Sequence, residues 1–375
     1  MKKILYIVNT DWFFVSHRMP IAIEALKHGY EVHIATKITT KKDTLEKHGF
    51  TVHNIKINRG SNGIGMLKDF YNIFLVIKKI KPEILHLVTI KPVIFGGIVA
   101  RFLKIQGVVF AISGLGIVFQ TNNHLTNIRH KLILILYKFI LGHRNQITIF
   151  QNNEDLRKLS LISKHLDKNS VLLPGSGVDL KLFRPTKTEL KNPLIMMASR
   201  LLISKGVLDF VNAAELFQTN YNIKARFVLI GDIDEENPDS ISYEQRLKLE
   251  KNKYIEFWGK MRNMQEIIPQ ASIVVFPSYY GEGLPKILIE ASACGKAVIT
   301  TNHPGCRDAI SAESGILVPI KSPVLLSKSI KYLVSNPSKL VKMGIAGRAL
   351  AESKYSIENI CQQHIKIYKK LQKTI

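Results

Sequence analysis

Short, continuous apolar runs alternate along the chain with longer stretches in which apolar residues recur at helical spacing. Such runs are typical of strands that are buried on both faces of a parallel sheet, and the stretches between them are typical of helices that cover those faces. The sequence therefore predicts an α/β fold. In the first half, the pattern predicts strands at 2–9, 30–36, 50–55, 84–89, 108–112 and 146–150, and helices that include 19–28 and 65–79.

A second strand–helix series begins at residue 194, after a polar hinge at 186–192. A chain of 375 residues is too long for one small core. We therefore expect an N-terminal domain at 1–185, a C-terminal domain at 186–355 and a final helix at 356–375. Ligands bind beyond the carboxyl ends of the strands in open parallel sheets, which points to the loops at 9–18, 89–92 and 113–120 in the first domain.

The stretch 275–306 carries the clearest chemistry. It predicts a buried strand, a turn around Glu282 and Gly283, a helix that opens at Pro285, and a second strand at 297–300. Strand, glycine turn and helix N-terminus together offer backbone amides and the positive end of a dipole to an anion. The carboxylates of Glu282 and Glu290 would repel a phosphate, so they are better suited to accept hydrogen bonds from sugar hydroxyls.

The string EGLPKILIEASACGKAVI at 282–299 resembles the donor site of the retaining nucleotide-sugar glycosyltransferases of family 4, which have the GT-B fold. That fold has two Rossmann-like, doubly wound parallel-sheet domains that face each other across a cleft. The resemblance implies that Glu282 engages the donor sugar and that Glu290 engages the ribose diol. It also implies donor contacts from Gly283, Leu284 and Pro285.

Two cations earlier in the chain fit the same resemblance. Arg200 and Lys205, in the arrangement SRxxxxKG, match the pair with which the family holds the donor diphosphate. Fixed cations stabilise the negative charge that builds on a leaving diphosphate, so Arg200, Lys205 and Glu282 are the predicted catalytic residues. Gly231 would let the backbone approach the donor, and Trp258 would line a nucleobase pocket. The resemblance further implies a front-face mechanism without a covalent nucleophile.

The acidic loop after Gly231 has two interpretations. Asp232 and Asp234 are spaced as in the metal-binding DxD motif of the other large glycosyltransferase fold. In a GT-B enzyme the helix dipole, Arg200 and Lys205 take the place of a metal ion, so we expect a solvated acidic loop, although a contact with the donor stays open. We expect no metal site and no cofactor, since the nucleotide-sugar is a substrate.

The segment HRMPIAIEALKHGYEV at 17–32 resembles a subgroup that acts in bacterial O-antigen and N-glycan assembly, including N-acetylgalactosaminyltransferases that act on undecaprenyl-diphosphate-linked sugars. This implies a UDP donor carrying an N-acetylhexosamine and a polyprenyl-diphosphate-linked acceptor. The predicted residues on the acceptor side are Ser16, His17, Arg18, Ser113 and Gly114. A surface histidine at 17 and a plain glycine turn at 113–119 are the open alternatives.

The charge is unevenly distributed. The net charge is +24, and no acidic residue occurs from Ile84 to Asn153. Basic amphipathic stretches at 125–144 and 70–81 fit either contact with an anionic membrane or packing within the protein. No pattern of a nucleic-acid-binding fold is present. We expect a cytoplasmic enzyme, peripheral at the inner face of the membrane, because three scattered cysteines form no disulfide framework and no apolar run is long enough to span a bilayer.

Two other functions remain. A UDP-sugar epimerase of the GT-B fold would use similar nucleotide contacts but would need acid–base carboxylates and no acceptor. A non-catalytic membrane-binding scaffold would keep the basic helices but would have no use for Arg200, Lys205, Glu282 and Glu290 together.

Overall fold

The computed structural model describes residues 1–57, 63–115 and 124–373, without the side chains of 124–129. The chain divides into two compact units. The first comprises Met1–Ser176 together with the residues from Ile357 onward, and the second comprises Gly177–Ser356. The division therefore falls nine residues before the expected boundary at 185, and the final helix belongs to the first unit.

The first unit is a seven-stranded parallel sheet with helices on both faces. The strand order is β3-β2-β1-β4-β5-β6-β7, and each neighbouring pair is parallel. The strands are β1 Lys2–Thr10, β2 Tyr30–Lys37, β3 Thr51–Asn54, β4 Ile84–Val88, β5 Gly107–Ile112, β6 Gln146–Phe150 and β7 Ser170–Leu172. The helices are α1 Asp11–His17, α2 Met19–Lys27, α3 Lys42–Lys47, α4 Ile64–Ile80, α5 Ile90–Phe102, α6 His124–Leu141, α7 Asn153–Ser160, α8 Leu166–Asn169 and α15 Ile357–Lys373.

Alternate residues of β1 enter two different cores. Leu5 and Ile7 pack with residues of α4, α5 and α6. Ile4 and Tyr6 point to the other face and pack with residues of α1, α2 and α15. Because successive side chains of a strand point to opposite faces, a strand covered on both sides must be apolar at every position.

The final helix contributes polar contacts to the core of the first unit. The hydroxyl of Tyr368 lies 2.7 Å from the hydroxyl of Tyr6 and 2.7 Å from Nδ1 of His86. All three side chains are fully buried, and burial lowers the pKa of His86 well below its usual value. The imidazole is therefore neutral at physiological pH, and the phenols can pair with it without a buried charge.

The prediction of a loop at 9–18 was wrong in part, because 11–17 forms the short helix α1. Asp11, the first residue of this helix, is buried, and its carboxylate accepts hydrogen bonds from the backbone N–H groups of Thr39, Thr40 and Lys41. Phe14 of the same helix is fully buried. The helix is thus fixed to the sheet at both a polar and an apolar position.

The second unit is a six-stranded parallel sheet with the order β10-β9-β8-β11-β12-β13. The strands are β8 Leu194–Ala198, β9 Arg226–Ile230, β10 Glu256–Gly259, β11 Ile273–Phe276, β12 Ala297–Thr301 and β13 Gly315–Val318. The helices are α9 Val207–Asn220, α10 Tyr243–Glu250, α11 Met264–Ile267, α12 Lys286–Ala293, α13 Pro323–Val334 and α14 Pro337–Leu350. The chain order reverses between β8 and β11, so this is the topological switch point at which α/β sheets bind ligands.

Candidate active site

The loop at 277–285 and helix α12 follow β11 at the switch point of the second unit. The loop is tied to the segment after β8, since the N–H of Tyr279 donates to the carbonyl oxygen of Ser204 over 2.8 Å. Pro285 is the N-cap, with extended backbone at φ −64° and ψ 123°, so the helix begins one residue later than predicted. It ends before Gly295, which has φ +66°, as the glycine at that position predicts. The predicted donor residues Gly283 and Leu284 lie just before this helix.

Lys205 and Glu282 form an ion pair between their side chains. Lys205 ends a short 3-10 helix at Ile203–Lys205, and its ammonium also lies 5.2 Å from the ring centroids of Phe276 and Tyr280. Both charged side chains are largely buried, at 11% and 14% exposure. The structure therefore brings together two of the three predicted catalytic residues, which are 77 positions apart in the chain.

Gly206 makes this approach possible. It has φ +77°, and a Cβ at this position would collide with the carbonyl oxygen of Pro277. Because an L-residue rarely adopts this φ and the neighbouring backbone leaves no room, only glycine fits between Lys205 and α9.

Arg200, the third predicted catalytic residue, contacts the acidic loop. Its Nη1 lies 2.5 Å from Oδ2 of Asp234. Asp232 instead accepts a hydrogen bond from Nε of Arg246 over 2.9 Å. The expectation of a solvated acidic loop was wrong for Asp234, which is 16% exposed and paired with Arg200. The side chain of Asp232 is 39% exposed, and Glu235 and Glu236 are exposed. Sequence spacing did not reveal the two ion pairs. Arg200 meets Asp234 because β8 and β9 are neighbours in the sheet, whereas the partner of Asp232 lies on α10.

Glu290 lies in the second turn of α12 and is 7% exposed. Burial raises the pKa of this carboxyl, although Lys286, whose Nζ lies 3.4 Å from Oε1, acts in the opposite direction. Trp258 is half-buried at the end of β10, and its indole N–H donates to Glu256 over 3.2 Å. The ribose and nucleobase contacts predicted for Glu290 and Trp258 stay predictions.

Gly231 follows β9 and has φ +150°. A Cβ there would overlap the carbonyl oxygen of Ser199, so the glycine is required by the backbone that leads to Arg200. Its N–H donates to the carbonyl oxygen of Gly259 over 2.9 Å. This packing is sufficient to account for a glycine at position 231, whether or not a ligand binds there. The predicted contact of Gly231 with the donor stays a prediction.

In the first unit, the predicted acceptor residues lie at the ends of β1 and β5. Arg18 is 2% exposed, and its guanidinium donates to the carbonyl oxygen of His17 over 3.1 Å and to Oγ of Ser113 over 3.4 Å. Burial lowers the pKa of Arg18 to about 10. His17 stacks on Phe13 at 4.2 Å between ring centroids, and Ser16 is exposed. Gly114 has φ +105°, whereas 116–119 of the predicted glycine turn lie outside the described residues.

Several polar atoms at these strand ends were not singled out from the sequence. They are buried, and within 1–57, 63–115 and 124–373 they have no hydrogen-bond partner; the set includes Asn9 Oδ1, Thr10 Oγ1, Arg18 Nε and Thr89 Oγ1. Thr89 also has φ +72°, which is unusual for a β-branched residue. The order β1-β4-β5 brings these residues to one edge of the sheet, at the switch point between β1 and β4.

Asp155 was also missed. Its carboxylate accepts hydrogen bonds from Nδ2 of Asn152, at 2.9 Å, and from the backbone N–H of Leu115, next to Gly114. Burial raises the pKa of Asp155 to about 6. Within the described residues, no group of three His, Cys, Asp or Glu side chains could hold a metal ion.

Comparison with known proteins gives two family matches. Residues 3–152 match the family model described as glycosyl transferase 4-like, and residues 179–350 match the one described as glycosyl transferases group 1. The two matched regions fall in the first and second units.

Two curated relatives and one solved structure are particularly similar. The chain is 29% identical to the N,N'-diacetylbacillosaminyl-diphospho-undecaprenol alpha-1,3-N-acetylgalactosaminyltransferase of Campylobacter jejuni, over 96% of each chain. It is 25% identical to the UDP-Gal:alpha-D-GlcNAc-diphosphoundecaprenol alpha-1,3-galactosyltransferase of Escherichia coli, over 68% of this chain and 67% of the relative. The crystal structure of Anabaena Alr3699/HepE in complex with UDP-glucose is similar with a TM-score of 0.76 and 16% identity, over all of both chains. The predicted GT-B fold is confirmed.

Proposed function

Because the chain belongs to the group 1 glycosyl transferases, with a first unit of the 4-like type, we propose that it moves a sugar from a UDP donor to a polyprenyl-diphosphate-linked saccharide. We further propose that the anomeric configuration is retained and that no metal is needed. Both curated relatives act, by their names, on saccharides of diphosphoundecaprenol, and one of them uses UDP-galactose. Their names support an N-acetylhexosamine or hexose as the transferred sugar.

The observation that carries the proposal is the ion pair between Lys205 and Glu282 at the switch point of the second unit, where Arg200 follows the neighbouring strand β8. Arg200 and Lys205 bind the donor diphosphate, assisted by the N-terminus of α12. As the glycosidic bond breaks, these cations stabilise the charge that develops on the leaving phosphate. The oxygen of the acceptor hydroxyl bonds to the anomeric carbon on the face that the phosphate leaves, and the phosphate oxygen takes the hydroxyl proton. The chain therefore need not supply a covalent nucleophile.

Glu282 orients the donor sugar through its hydroxyls. Its partner Lys205 holds the carboxylate in place, and carboxylate oxygens accept hydrogen bonds from hydroxyl donors. Glu290 takes the ribose diol, and Trp258 provides an apolar surface for uracil. Together they hold the reacting carbon in a fixed position for the acceptor, and such positioning lowers the barrier to transfer.

The acceptor side is assigned to the first unit. Arg18 supplies a positive charge, and Asn9, Thr10 and Thr89 supply buried polar atoms that have no partner among the described residues. A buried polar atom without a partner costs about 1 to 3 kcal/mol, and a hydroxyl-rich, anionic acceptor relieves this cost. Ser16, His17, Ser113 and Gly114 surround this edge.

A lipid-linked acceptor requires contact with a membrane, and helices α4 and α6 offer the surface. We define the apolar face as the exposed residues Ile64, Leu67, Tyr71 and Leu75 of α4 and Leu132, Ile135 and Phe139 of α6. Exposed lysines flank it, including Lys68 and Lys131. The opposite side of α6 packs internally through Tyr137 and Ile140. On this proposal, the exposed side of α6 contacts the membrane and the opposite side packs within the protein. No helix within the described residues is long and apolar enough to cross a membrane.

The proposal is tested by nucleotide release from a panel of UDP- and GDP-sugars, with and without EDTA and with and without an extract containing polyprenyl-diphosphate-linked saccharides. We expect release to require one UDP-sugar and the lipid fraction, to survive EDTA, and to disappear in Lys205→Met. NMR of the product reports whether the configuration is retained. Conversion of a UDP-sugar without any acceptor would instead identify an epimerase, and binding to vesicles without release would identify a scaffold.

A further inference from the structure

The acidic loop between β9 and α10 is attached to the segment that carries the two donor cations. The N–H of Leu201 donates to the carbonyl oxygen of Asp232 over 2.9 Å, and the N–H of Ile203 donates to that of Asp239 over 2.9 Å. The carboxylate of Asp239 also accepts from the N–H of Ser204 over 3.1 Å. These contacts hold the loop beside Arg200 and Lys205.

Within this loop, the position of Asp234 is defined by the loop itself. Its N–H donates to Oγ of Ser240 over 3.0 Å, and its carbonyl oxygen accepts from the N–H of Asn237 over 2.8 Å. The loop ends at Ser242, which caps α10 through a reciprocal pair of hydrogen bonds with Gln245. The carboxylate of Asp234, which is 16% exposed, is thereby aimed at the guanidinium of Arg200.

The two aspartates of the loop have different partners. Arg246 holds Asp232 and also Glu250, at 2.7 Å, and its guanidinium lies 5.4 Å from the ring centroid of Phe257. Asp232 therefore belongs to a separate cluster on α10 and β10. Of the two aspartates, Asp234 is the one that pairs with Arg200, which is a predicted ligand of the donor diphosphate.

The side chains of the two predicted phosphate-binding cations also differ in how tightly their surroundings hold them. Lys205 is 11% exposed and is held between Glu282 and two aromatic rings. Arg200 is 37% exposed and has the longer side chain. The contact between Arg200 and Asp234 is thus the one that can exchange partners. An open cavity of about 510 Å³ adjoins the loop, is lined by Asp234 and Arg246 among others, and gives the displaced carboxylate space and a cation.

From these contacts we infer that Asp234 competes with the donor diphosphate for Arg200 and thereby sets the affinity for the nucleotide. A phosphate that binds Arg200 replaces a carboxylate that is also negatively charged, and the displaced carboxylate remains nearby and repels the phosphate. The contact with Arg200 therefore contributes less binding free energy to every diphosphate ligand, including the nucleotide product. This inference rests on the proposed function, since it requires that Arg200 binds the diphosphate.

Weak binding of the nucleotide product is useful to a transferase, because release of the product limits many such enzymes. The competition acts only on ligands that carry phosphate groups. A change at Asp234 should therefore alter the binding of ligands that carry the diphosphate and leave the binding of the nucleoside alone unchanged.

Calorimetric titration of UDP and of uridine into the full-length protein tests this inference. In Asp234→Asn, which keeps the size of the side chain but removes its charge, we expect UDP to bind about fivefold more tightly and uridine to bind as before. The matched control is Glu235→Gln, which removes a negative charge at an exposed position of the same loop, and we expect no change in UDP affinity there. Equal or weaker UDP binding in Asp234→Asn overturns the inference.

A third variant separates this inference from the proposed function. Arg200→Met should weaken UDP but not uridine, and the double variant Arg200→Met with Asp234→Asn should bind UDP no better than Arg200→Met alone. If Arg200→Met leaves UDP affinity unchanged, the proposed diphosphate site is wrong. If it weakens UDP while Asp234→Asn has no effect, the diphosphate site stands and the competition does not exist.

Discussion

The α-carbon of Gly305 lies so close to the carbonyl oxygen of Gly283 that a Cβ on Gly305 would collide with it. Gly305 has φ +81°, and it lies on a loop after β12, whereas Gly283 belongs to the loop that carries Glu282. The loop at 277–285, here called the donor loop, can thus take its position because residue 305, 22 positions after Gly283, is a glycine.

The substitution Gly305→Ala should move the donor loop and thereby displace Glu282. We expect kcat/KM for the donor to fall by about tenfold to 100-fold, since small displacements of positioning groups have effects of that size. Gly29→Ala is the matched control, because Gly29 has φ +79° and nothing lies within 4 Å of an added Cβ. Both variants place an alanine at a positive φ and therefore carry similar backbone strain. An equal loss of activity in Gly29→Ala would mean that this strain, and not the collision with Gly283, causes the loss.

Glu290 is proposed to accept hydrogen bonds from the ribose diol. Wild-type protein should therefore bind UDP about tenfold more tightly than 2′-deoxy-UDP, because a hydrogen bond to a charged group contributes about 1.5 kcal/mol or more. In Glu290→Gln this ratio should approach one, mainly through weaker binding of UDP. Glu266→Gln, at an exposed position in the same unit, serves as the control. A ratio that is preserved in Glu290→Gln would remove Glu290 from the ribose site.

Asp155 predicts a pH dependence of stability. Its folded pKa of about 6 lies above the ordinary value of 3.8, so the folded state binds the proton more tightly than the unfolded state does. The stability contributed by the protonated carboxyl is fully present below pH 3.8 and is lost as the pH rises through 6. Replacing Asp155 by Asn removes this dependence. Relative to wild type, Asp155→Asn should gain about 2 to 3 kcal/mol in the free energy of unfolding between pH 4 and pH 7.5.

Urea unfolding at several pH values measures this effect. Asp167→Asn, an exposed aspartate of α8 in the same unit, is the control and should follow wild type at each pH. Parallel curves for Asp155→Asn and wild type would show that Asp155 does not titrate differently in the two states.

The apolar face of α4 and α6 predicts binding to anionic vesicles. The double variant Leu67→Glu with Ile135→Glu should bind phosphatidylglycerol vesicles at least about tenfold more weakly, because two large apolar side chains no longer enter the lipid and two acidic charges are repelled. Leu67 and Ile135 are 70% and 63% exposed, so the fold should tolerate both changes. Flotation with vesicles is the measurement. Ile345→Glu, at a 66% exposed position on α14, should bind like wild type, and an equal loss there would argue against a defined membrane face.

The sequence was sufficient to predict the central strands because these are buried on both faces, whereas the partly exposed edge strand β7 was not predicted. The predicted strand at 146–150 matches β6, and that at 108–112 differs from β5 by one residue. Such runs are bounded by polar and glycine-containing turns, which define their ends. The helix α1 was missed because its seven residues are too few to show a helical period.

The candidate site was only partly predictable. Arg200, Lys205 and Glu282 could be chosen from local motifs, but their partners depend on which strands are neighbours. Asp234 lies 34 residues from Arg200, and no spacing rule connects them. The aspartate was visible in the sequence, yet its charge suggested solvation, and only the order of β8 and β9 shows what it contacts.

The helix α15 makes the first unit discontinuous in sequence, and this has a consequence for biosynthesis. On the ribosome, Tyr6 and His86 are made before Tyr368, which pairs with both of them and follows His86 by 282 residues. The second unit, from Gly177 to Ser356, is by contrast complete before α15 appears. Order of synthesis and order of folding therefore differ: the part of the first unit that is translated first keeps polar groups of its core unpaired until α15 has been made.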